Sequence, residues 1–198
     1  MRTIFKTLIS VGIAFILALG GLWYVISPQK YEESEIKNGP WVTSLEAGSA
    51  DASIYQRARI ARSGLWALEK SEVIYYVTTT DSDGNKLDYN GVYKIEGSEL
   101  PARWWGITVY KDLYFIPNEA NRYSFSKTNI AYDENGTTWT IMLSARPQKG
   151  NWLPLGDKEP MRGERNGDLC LTLRLYNPNP EVLESPETIE LPQIIRMV

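Results

Sequence analysis

The clearest pattern of apolar and polar positions lies near the end of the chain, over Leu169–Pro178. Successive side chains of a β-strand point to opposite faces of a sheet, so strict alternation predicts a strand with one apolar and one polar face. Proline has no N–H to donate to a neighbouring strand, so Pro178 ends the pattern. An apolar face of this kind needs a second layer to cover it, which predicts a central strand of a packed β domain. The apolar face consists of Leu169, Leu171, Leu173 and Leu175, and the polar face of Cys170, Thr172, Arg174 and Tyr176.

The same two-residue period recurs through most of the chain after residue 72. It is visible over residues 73–80, 92–96, 104–110 and 137–146. The run DSDGN at residues 81–85 predicts a hairpin turn between the first two of these strands. Short strands separated by turn signals predict a mainly β fold. We expect an antiparallel, jelly-roll-like β-sandwich with one leading amphipathic helix and an N-terminal transmembrane helix.

The leading helix is predicted over residues 51–70, where the apolar period changes from two to three and four. Asp51 or Ser53 is suited to cap its first turn, since a side-chain oxygen there accepts a free backbone N–H. The apolar stripe of this helix consists of Ile54, Ala58, Ala61, Leu65 and Leu68.

Residues 7–26 contain no charge, and a helix of that length spans roughly 30 Å, the thickness of a bilayer core. Trp23 and Tyr24 lie near its end, where an interfacial aromatic belt is expected. A cleaved signal peptide that ends near Gly20 is the alternative, because small residues precede that position. The apolar run continues past Gly20, which favours an uncleaved signal anchor.

The charges around this segment predict its orientation. Arg2 and Lys6 precede the apolar run, and positive charge before a span keeps the N-terminus in the cytoplasm. The prediction is a single-pass protein of the bacterial inner membrane with its soluble domain in the periplasm or outside the cell. The predicted parts are a cytoplasmic stub and signal anchor (residues 1–26), a linker (residues 27–50) and a β-sandwich domain (residues 51–198).

Composition removes several classes of function. The 198 residues carry a net charge of −3, which provides no basic surface for nucleic acid. Histidine is absent, so Ser-His-Asp and Cys-His catalysis and histidine-ligated metals are excluded. The single cysteine, Cys170, falls mid-strand, where a small and nearly apolar side chain fits. We therefore predict neither a metal nor another cofactor.

The candidate binding residues lie on the polar faces of two predicted strands. If these faces belong to one side of one sheet, they form an aromatic surface around a cation. Flat aromatic rings with Arg and Asn donors are suited to carbohydrate. Residues 177–198 are punctuated by prolines and are predicted to form an extended C-terminal arm along the sheet edge. The structural alternative to a binding surface is a face that the helix or this arm covers, with Arg174 paired to a carboxylate. The candidates on strands are Trp104, Tyr110, Arg174 and Tyr176, and those on predicted connecting loops are Asn121, Arg122 and Trp152.

Several segments in order resemble one known family. They are residues 104–110 (WWGITVY), 121–124 (NRYS), 151–154 (NWLP) and 173–178 (LRLYNP), after a lead-in helix at residues 57–65 and a strand at residues 72–76. These blocks resemble the family catalogued as domain of unknown function 1214, over roughly residues 50–198. The resemblance implies a jelly-roll-like β-sandwich and no established activity.

Two functions follow from the sequence as hypotheses. The first is a membrane-anchored, non-catalytic domain that binds an envelope glycan or a partner protein, with residues 7–26 in the membrane. The second is a hydrolase that acts on an envelope glycan through a pair of carboxylates, since a chain without histidine needs such a pair. Four acids are available for that role: Asp112, Glu119, Asp157 and Asp168.

Overall fold

The computed structural model describes the chain in six stretches, which are residues 2–25, 35–50, 52–63, 67–111, 114–156 and 169–197. The chain divides into two compact units. One contains residues 1–35 and 46–69, and the other contains residues 36–45 and 70–198.

The described residues of the first unit form two helices. Helix α1 (Arg2–Val25) is long and apolar enough to cross a membrane. Helix α2 (Ile54–Ser63) is shorter than the predicted range, and the Ser53 hydroxyl accepts the backbone N–H of Gln56 at 3.2 Å at its start. The predicted stripe of α2 does not form a buried face, since Ile54 is 73% exposed and Ala58 and Ala61 are exposed. Leu65 lies outside the described residues.

Within the described residues, the second unit contains eleven strands and one short helix. In chain order the strands are β1 (Ile36–Asn38), β2 (Trp41–Thr43), β3 (Val73–Thr78), β4 (Val92–Ser98), β5 (Ala102–Lys111), β6 (Tyr114–Phe115), β7 (Ser124–Ser126), β8 (Thr138–Ser144), β9 (Asn151–Pro154), β10 (Leu169–Pro178) and β11 (Gln193–Met197). The helix, α3 (Pro180–Glu184), begins with a proline, whose missing N–H costs nothing in a first helical turn.

The strands form two sheets, which confirms the mainly β fold. The first sheet has the order β1-β2-β3-β10-β5-β6, with β7 also paired to β5. The second sheet has the order β11-β4-β8-β9, and its β8–β9 pair is parallel, so this sheet is mixed. The jelly-roll connection of the strands stays a prediction.

Strand β10 lies at the centre of the first sheet, between β3 and β5. Its four leucines are buried in the core, as the alternation predicts. The two sheets meet across this core, where Trp105 of β5 stacks on Trp139 of β8 with ring centroids 5.0 Å apart. The indole of Trp139 occupies the space above Gly97 of β4, where a Cβ atom would lie 2.4 Å from the ring.

Residues assigned to a linker by the sequence analysis form the edge of the first sheet. Val42 of β2 pairs with Val77 of β3. Trp41 is buried, and its Nε1 donates to the backbone carbonyl of Pro192 at 2.7 Å. The side-chain amide of Asn38 donates to the carbonyl of Ile189 at 2.7 Å. Contacts with the C-terminal segment therefore hold β1 and β2 in the domain.

The prediction that residues 81–85 form a hairpin turn is wrong about the flanking strands, because β3 and β4 belong to different sheets. The turn itself forms, with Gly84 at a φ of +86° and the buried Asp81 carboxylate accepting the N–H of Asn85 at 2.8 Å. Thr80 and Lys86 make an isolated bridge across it. Beyond that bridge the chain passes from one sheet to the other, because β3 pairs with β10 whereas β4 pairs with β8 and β11.

The C-terminal segment differs in part from the extended arm that was predicted for residues 177–198. Its first part contains α3, whose Val182 is buried in the core. Its last part is β11, which pairs with β4 at the edge of the second sheet. Extended backbone along a sheet edge is therefore correct for Gln193–Met197 and wrong for Pro180–Glu184.

Candidate functional site

The polar face of β10 lies beside the polar faces of β3 and β5. Residues that pair directly across antiparallel strands point to the same side of a sheet. On this side Tyr176 pairs with Trp104, Arg174 with Gly106, Thr172 with Thr108, and Cys170 with Tyr110. On the other flank of β10, Arg174 pairs with Tyr75. We call this surface the platform and define it by Tyr75, Trp104, Thr108, Tyr110, Thr172, Arg174 and Tyr176.

Arg174 lies in the middle of the platform and is partly buried. Its Nη2 donates to the hydroxyl of Tyr110 at 2.8 Å, and its Nη1 donates to the hydroxyl of Thr108 at 3.3 Å. The guanidinium carbon lies 5.5 Å from the ring centroid of Tyr110 and 5.9 Å from that of Tyr75. Cation–π attraction and two hydroxyl acceptors thus hold the side chain across β5, β10 and β3.

No ion pair joins Arg174 to a carboxylate within the stretches that the structure describes. The hydroxyls that accept its hydrogen bonds are neutral, so they orient the guanidinium without compensating its charge. The structural alternative of an Arg174–carboxylate pair therefore has no support in the described residues.

Trp104 and Tyr176 form the aromatic end of the platform. Their ring centroids lie 5.2 Å apart in an edge-to-face arrangement with an interplanar angle of 64°, a favoured geometry for aromatic pairs. Gly106 leaves space for the indole, since a Cβ atom at that position would lie 3.2 Å from Cη2 of Trp104. The lack of a side chain at Gly106 therefore helps to determine where the Trp104 ring lies.

A second group of aromatic rings continues from Tyr110. Phe115 stacks on Tyr110 with centroids 5.2 Å apart, and Tyr123 contacts Phe115 at the same distance. Phe115 is 57% exposed. Neither Phe115 nor Tyr75 is among the candidates predicted from the sequence. The signal for Tyr75 was present, since Tyr75 and Tyr76 are adjacent in a strand and one of two neighbouring rings must leave the core.

Asn121 and Arg122 do not contact the platform through any interaction that the structure records. Asn121 adopts a φ of 49°, a left-handed conformation that asparagine tolerates in turns. Asn118 closes this turn, because its side chain accepts the N–H of Arg122 at 3.1 Å and donates to the carbonyl of Arg122 at 2.9 Å. The Arg122 guanidinium lies over Phe125, 4.6 Å from the ring centroid. Both residues are exposed.

Trp152 lies on the second sheet and not on the platform. It belongs to β9, so the expectation that it occupies a connecting loop is wrong. It pairs with Met142 of β8, and its Nε1 donates to the carbonyl of Ser144 at 3.1 Å. The Nε1 hydrogen bond and the partial burial indicate that Trp152 anchors β9 to the end of β8.

Cys170 and the four candidate acids are the reactive side chains that the sequence singles out. Burial raises the pKa of the Cys170 thiol, so less of it is present as reactive thiolate. Three of the four candidate acids, Asp112, Asp157 and Asp168, lie outside the described residues, and Glu119 is exposed in a turn. A search of the described stretches finds no group of three or more His, Cys, Asp and Glu side chains placed to hold a metal ion.

The sequence blocks that form the platform also decide the family. The model of the family described as protein of unknown function, DUF1214, matches residues 72–180, more than half of the chain. The chain belongs to this family. The match contains all of β3, β5 and β10, so the platform is part of the DUF1214 region. The family description assigns no activity.

Two solved structures are similar to this DUF1214 protein. The VPA0106 protein from Vibrio parahaemolyticus has 24% sequence identity and a TM-score of 0.56, over 75% of this chain and 36% of that one. An uncharacterized protein from Burkholderia cenocepacia has 14% identity and a TM-score of 0.40, over 90% of this chain and 40% of that one. This chain thus spans about a third of the length of the Vibrio protein, whose likeness supports the fold alone. No curated protein matches the chain.

Proposed function

We propose that this protein is a membrane-anchored, non-catalytic binding module of the bacterial cell envelope and that its platform binds an envelope glycan. Helix α1 supports the anchor by its length and apolar composition. The positive charges of Arg2 and Lys6, before the apolar part of α1, favour a cytoplasmic N-terminus. In this arrangement α1 spans the inner membrane and the DUF1214 region lies in the periplasm or outside the cell.

The observation that carries the binding proposal is the combination of rings and donors on one sheet face. Trp104 and Tyr176 provide apolar ring surface that suits the flat faces of sugar rings. The Arg174 guanidinium and the Tyr110 hydroxyl, both on partly exposed side chains, provide hydrogen-bonding groups for sugar hydroxyls, whereas Thr108 is buried and only orients the guanidinium. These side chains project from adjacent strands of one sheet, so they are held in fixed positions relative to one another.

A binding experiment with a matched control tests the platform. The full chain is placed in nanodiscs, and thermal unfolding is followed with soluble peptidoglycan fragments, chitopentaose and pentagalacturonate. A ligand that binds only the folded state raises the unfolding temperature by mass action. We expect at least one of these saccharides to do so for the wild type and for Trp152→Ala on the other sheet, but not for Trp104→Ala.

Two outcomes contradict the proposal. One is that no saccharide of the panel raises the unfolding temperature. The other is that Trp104→Ala responds as the wild type does. Without ligand, the unfolding temperatures of both variants show whether each still folds.

The anchor and its orientation need a separate measurement in cells. A reporter fused after residue 198 should be active only outside the cytoplasm, and N-terminal sequencing should find the uncleaved chain. A mature N-terminus near residue 21 would mean that the segment is a cleaved signal peptide, and a reporter active in the cytoplasm would reverse the orientation.

A further inference from the structure

We propose that the glycan bound by the platform is anionic and that its acid group binds at Arg174. This inference rests on the proposed function, because it specifies the chemical class of the ligand for the same surface. It depends on the charges of the sheet face, on the contacts of Arg174 and on the placement of the aromatic rings.

The strand residues on the platform side of the first sheet carry positive charge and no negative charge in the described part of the chain. The register continues from Thr172 through Val77 and Val42 to Lys37 at the outer strand. Lys37 is exposed and therefore joins Arg174 as a second cation on this side. The other positions on this side are Val73, Tyr75, Ala102, Trp104, Gly106, Thr108, Tyr110, Phe115, Ser124, Ser126, Cys170, Tyr176 and Pro178.

This local bias runs against the charge of the whole protein, which is −3. The carboxylates of the chain outnumber its cations, 24 to 21, yet none lies on this face among the described strand residues. A surface with one sign of charge attracts ligands of the opposite sign and disfavours ligands of its own.

The contacts of Arg174 leave part of its hydrogen-bonding capacity for a ligand. Thr108 and Tyr110 use two of the guanidinium N–H groups, and the others have no protein acceptor within the described ranges. Arg196 of β11 provides a comparison, since it also lies over a tyrosine ring, 5.7 Å from the centroid of Tyr93. Arg196, however, has a carboxylate partner, Asp88, at 2.8 Å. Among the residues that the structure describes, Arg174 is thus a partly buried guanidinium without the carboxylate partner that Arg196 has.

The rings on both sides of Arg174 indicate an extended ligand. Trp104 and Tyr176 lie at one end, and Tyr110 and Phe115 lie at the other. Trp104 and Tyr110 are six positions apart in an extended strand, which corresponds to about 20 Å. A chain of several sugar units can therefore contact both aromatic groups while an acid group in its middle meets Arg174. An acid group also suits the guanidinium geometrically, because its planar fork binds two acceptor oxygens at once.

The test compares pentagalacturonate with its neutral methyl ester, which has the same sugar backbone. Affinity is measured by calorimetry with the full chain in nanodiscs of uncharged lipid. We expect the wild type to bind the acid at least about tenfold more tightly than the ester, because charge-assisted hydrogen bonds have that magnitude. This preference should weaken with added salt.

Variants of the two comparable arginines assign the preference to a residue. Arg174→Gln should abolish it, Arg174→Lys should retain part of it, and Arg196→Gln should leave it unchanged. Inorganic phosphate is added as a competitor, and strong competition would assign the site to phosphorylated rather than carboxylated sugars while still supporting an anionic ligand.

The outcomes separate this inference from the proposed function. Equal affinity of the wild type for acid and ester overturns the anionic ligand, while glycan binding stands. A preference for the acid that survives in Arg174→Gln overturns the placement of the acid group at Arg174, and glycan binding again stands. If neither the acid nor the ester binds, and no other saccharide of the panel binds either, both proposals are overturned. If Arg174→Gln does not fold, a weakened preference in Arg174→Lys supports the inference, and full retention in that variant overturns it.

Discussion

Two stacked tryptophans in the core allow a sharp test of how a buried N–H contributes to stability. Trp105 and Trp139 face each other across the two sheets, and both are almost fully buried. Nε1 of Trp139 donates to the carbonyl of Ser98 at 2.8 Å. Nε1 of Trp105 has no hydrogen-bond partner in the part of the chain that the structure describes. The two rings thus share their stack and their burial, and they differ in hydrogen bonding.

The perturbation is Trp→Phe at each position in turn. Both substitutions remove part of an indole from the same stack, which costs on the order of 1–2 kcal/mol in lost apolar burial. Trp139→Phe also leaves the Ser98 carbonyl without its donor, at a further cost of about 1–3 kcal/mol. Trp105→Phe instead removes a buried donor without a partner, which offsets part of the lost burial. We expect Trp139→Phe to be less stable than Trp105→Phe by about 2 kcal/mol.

The assay is calorimetric thermal unfolding of both variants in the full chain, in the same nanodiscs. For a domain of this size, a difference of about 2 kcal/mol corresponds to a difference in Tm of about 4–8 °C. Trp152→Phe serves as a control that removes a hydrogen bond from a half-buried indole on the outside of the stack. Equal Tm values for the two core variants, or a lower value for Trp105→Phe, would refute the reasoning, since ring packing rather than the N–H would then decide stability.

Three further predictions concern the platform, alkaline stability and the edge of the first sheet. Gly106→Ala should displace the indole of Trp104, because its Cη2 would lie 3.2 Å from the new Cβ. Titration should show weaker saccharide binding, and thermal unfolding should show a Tm change within about 4 °C. Burial, and to a lesser extent the negative charge of Glu187, raises the pKa of Tyr76. The folded protein therefore holds the hydroxyl proton more tightly than the unfolded chain does, and the free energy of unfolding should fall above about pH 10. In urea unfolding, Tyr76→Phe should show a smaller fall of this free energy between about pH 10 and 12. Trp41→Ala should lower the free energy of unfolding by about 3–5 kcal/mol, whereas a residue of a free linker would show almost no change.

The sequence predicts the central strand of the fold well because its signal is local. The four leucines of β10 alternate without interruption, and one buried face against one polar face is enough to determine which way each side chain points. The same alternation in β5 made it possible to predict that Trp104 and Arg174 share a surface, on the condition that their strands are neighbours. The register meets that condition.

Features that depend on distant contacts were predicted poorly. The turn at residues 81–85 has strong local turn chemistry, yet the choice of sheet for β3 and β4 depends on which strands lie far away in sequence. Strands β1 and β2 are three residues long, which is too short to show a period, and the buried Trp41 owes its place to the carbonyl of Pro192. The sequence around Trp152 does not indicate which sheet this residue joins, because β9 is parallel to β8 and parallel strands are not joined by a tight hairpin turn.

The buried leucine face of β10 determines how the polar face of the same strand is presented to a ligand. Leu173 and Leu175, on either side of Arg174, are completely buried, so the core determines where the backbone of Arg174 lies. Its side chain is then oriented by Thr108 and Tyr110 before any ligand arrives. A ligand that meets an ordered guanidinium pays little of the conformational entropy that binding by a free arginine requires. The platform should therefore bind without movement of β5 and β10, and a backbone shift in these strands on saccharide binding would contradict a preformed site.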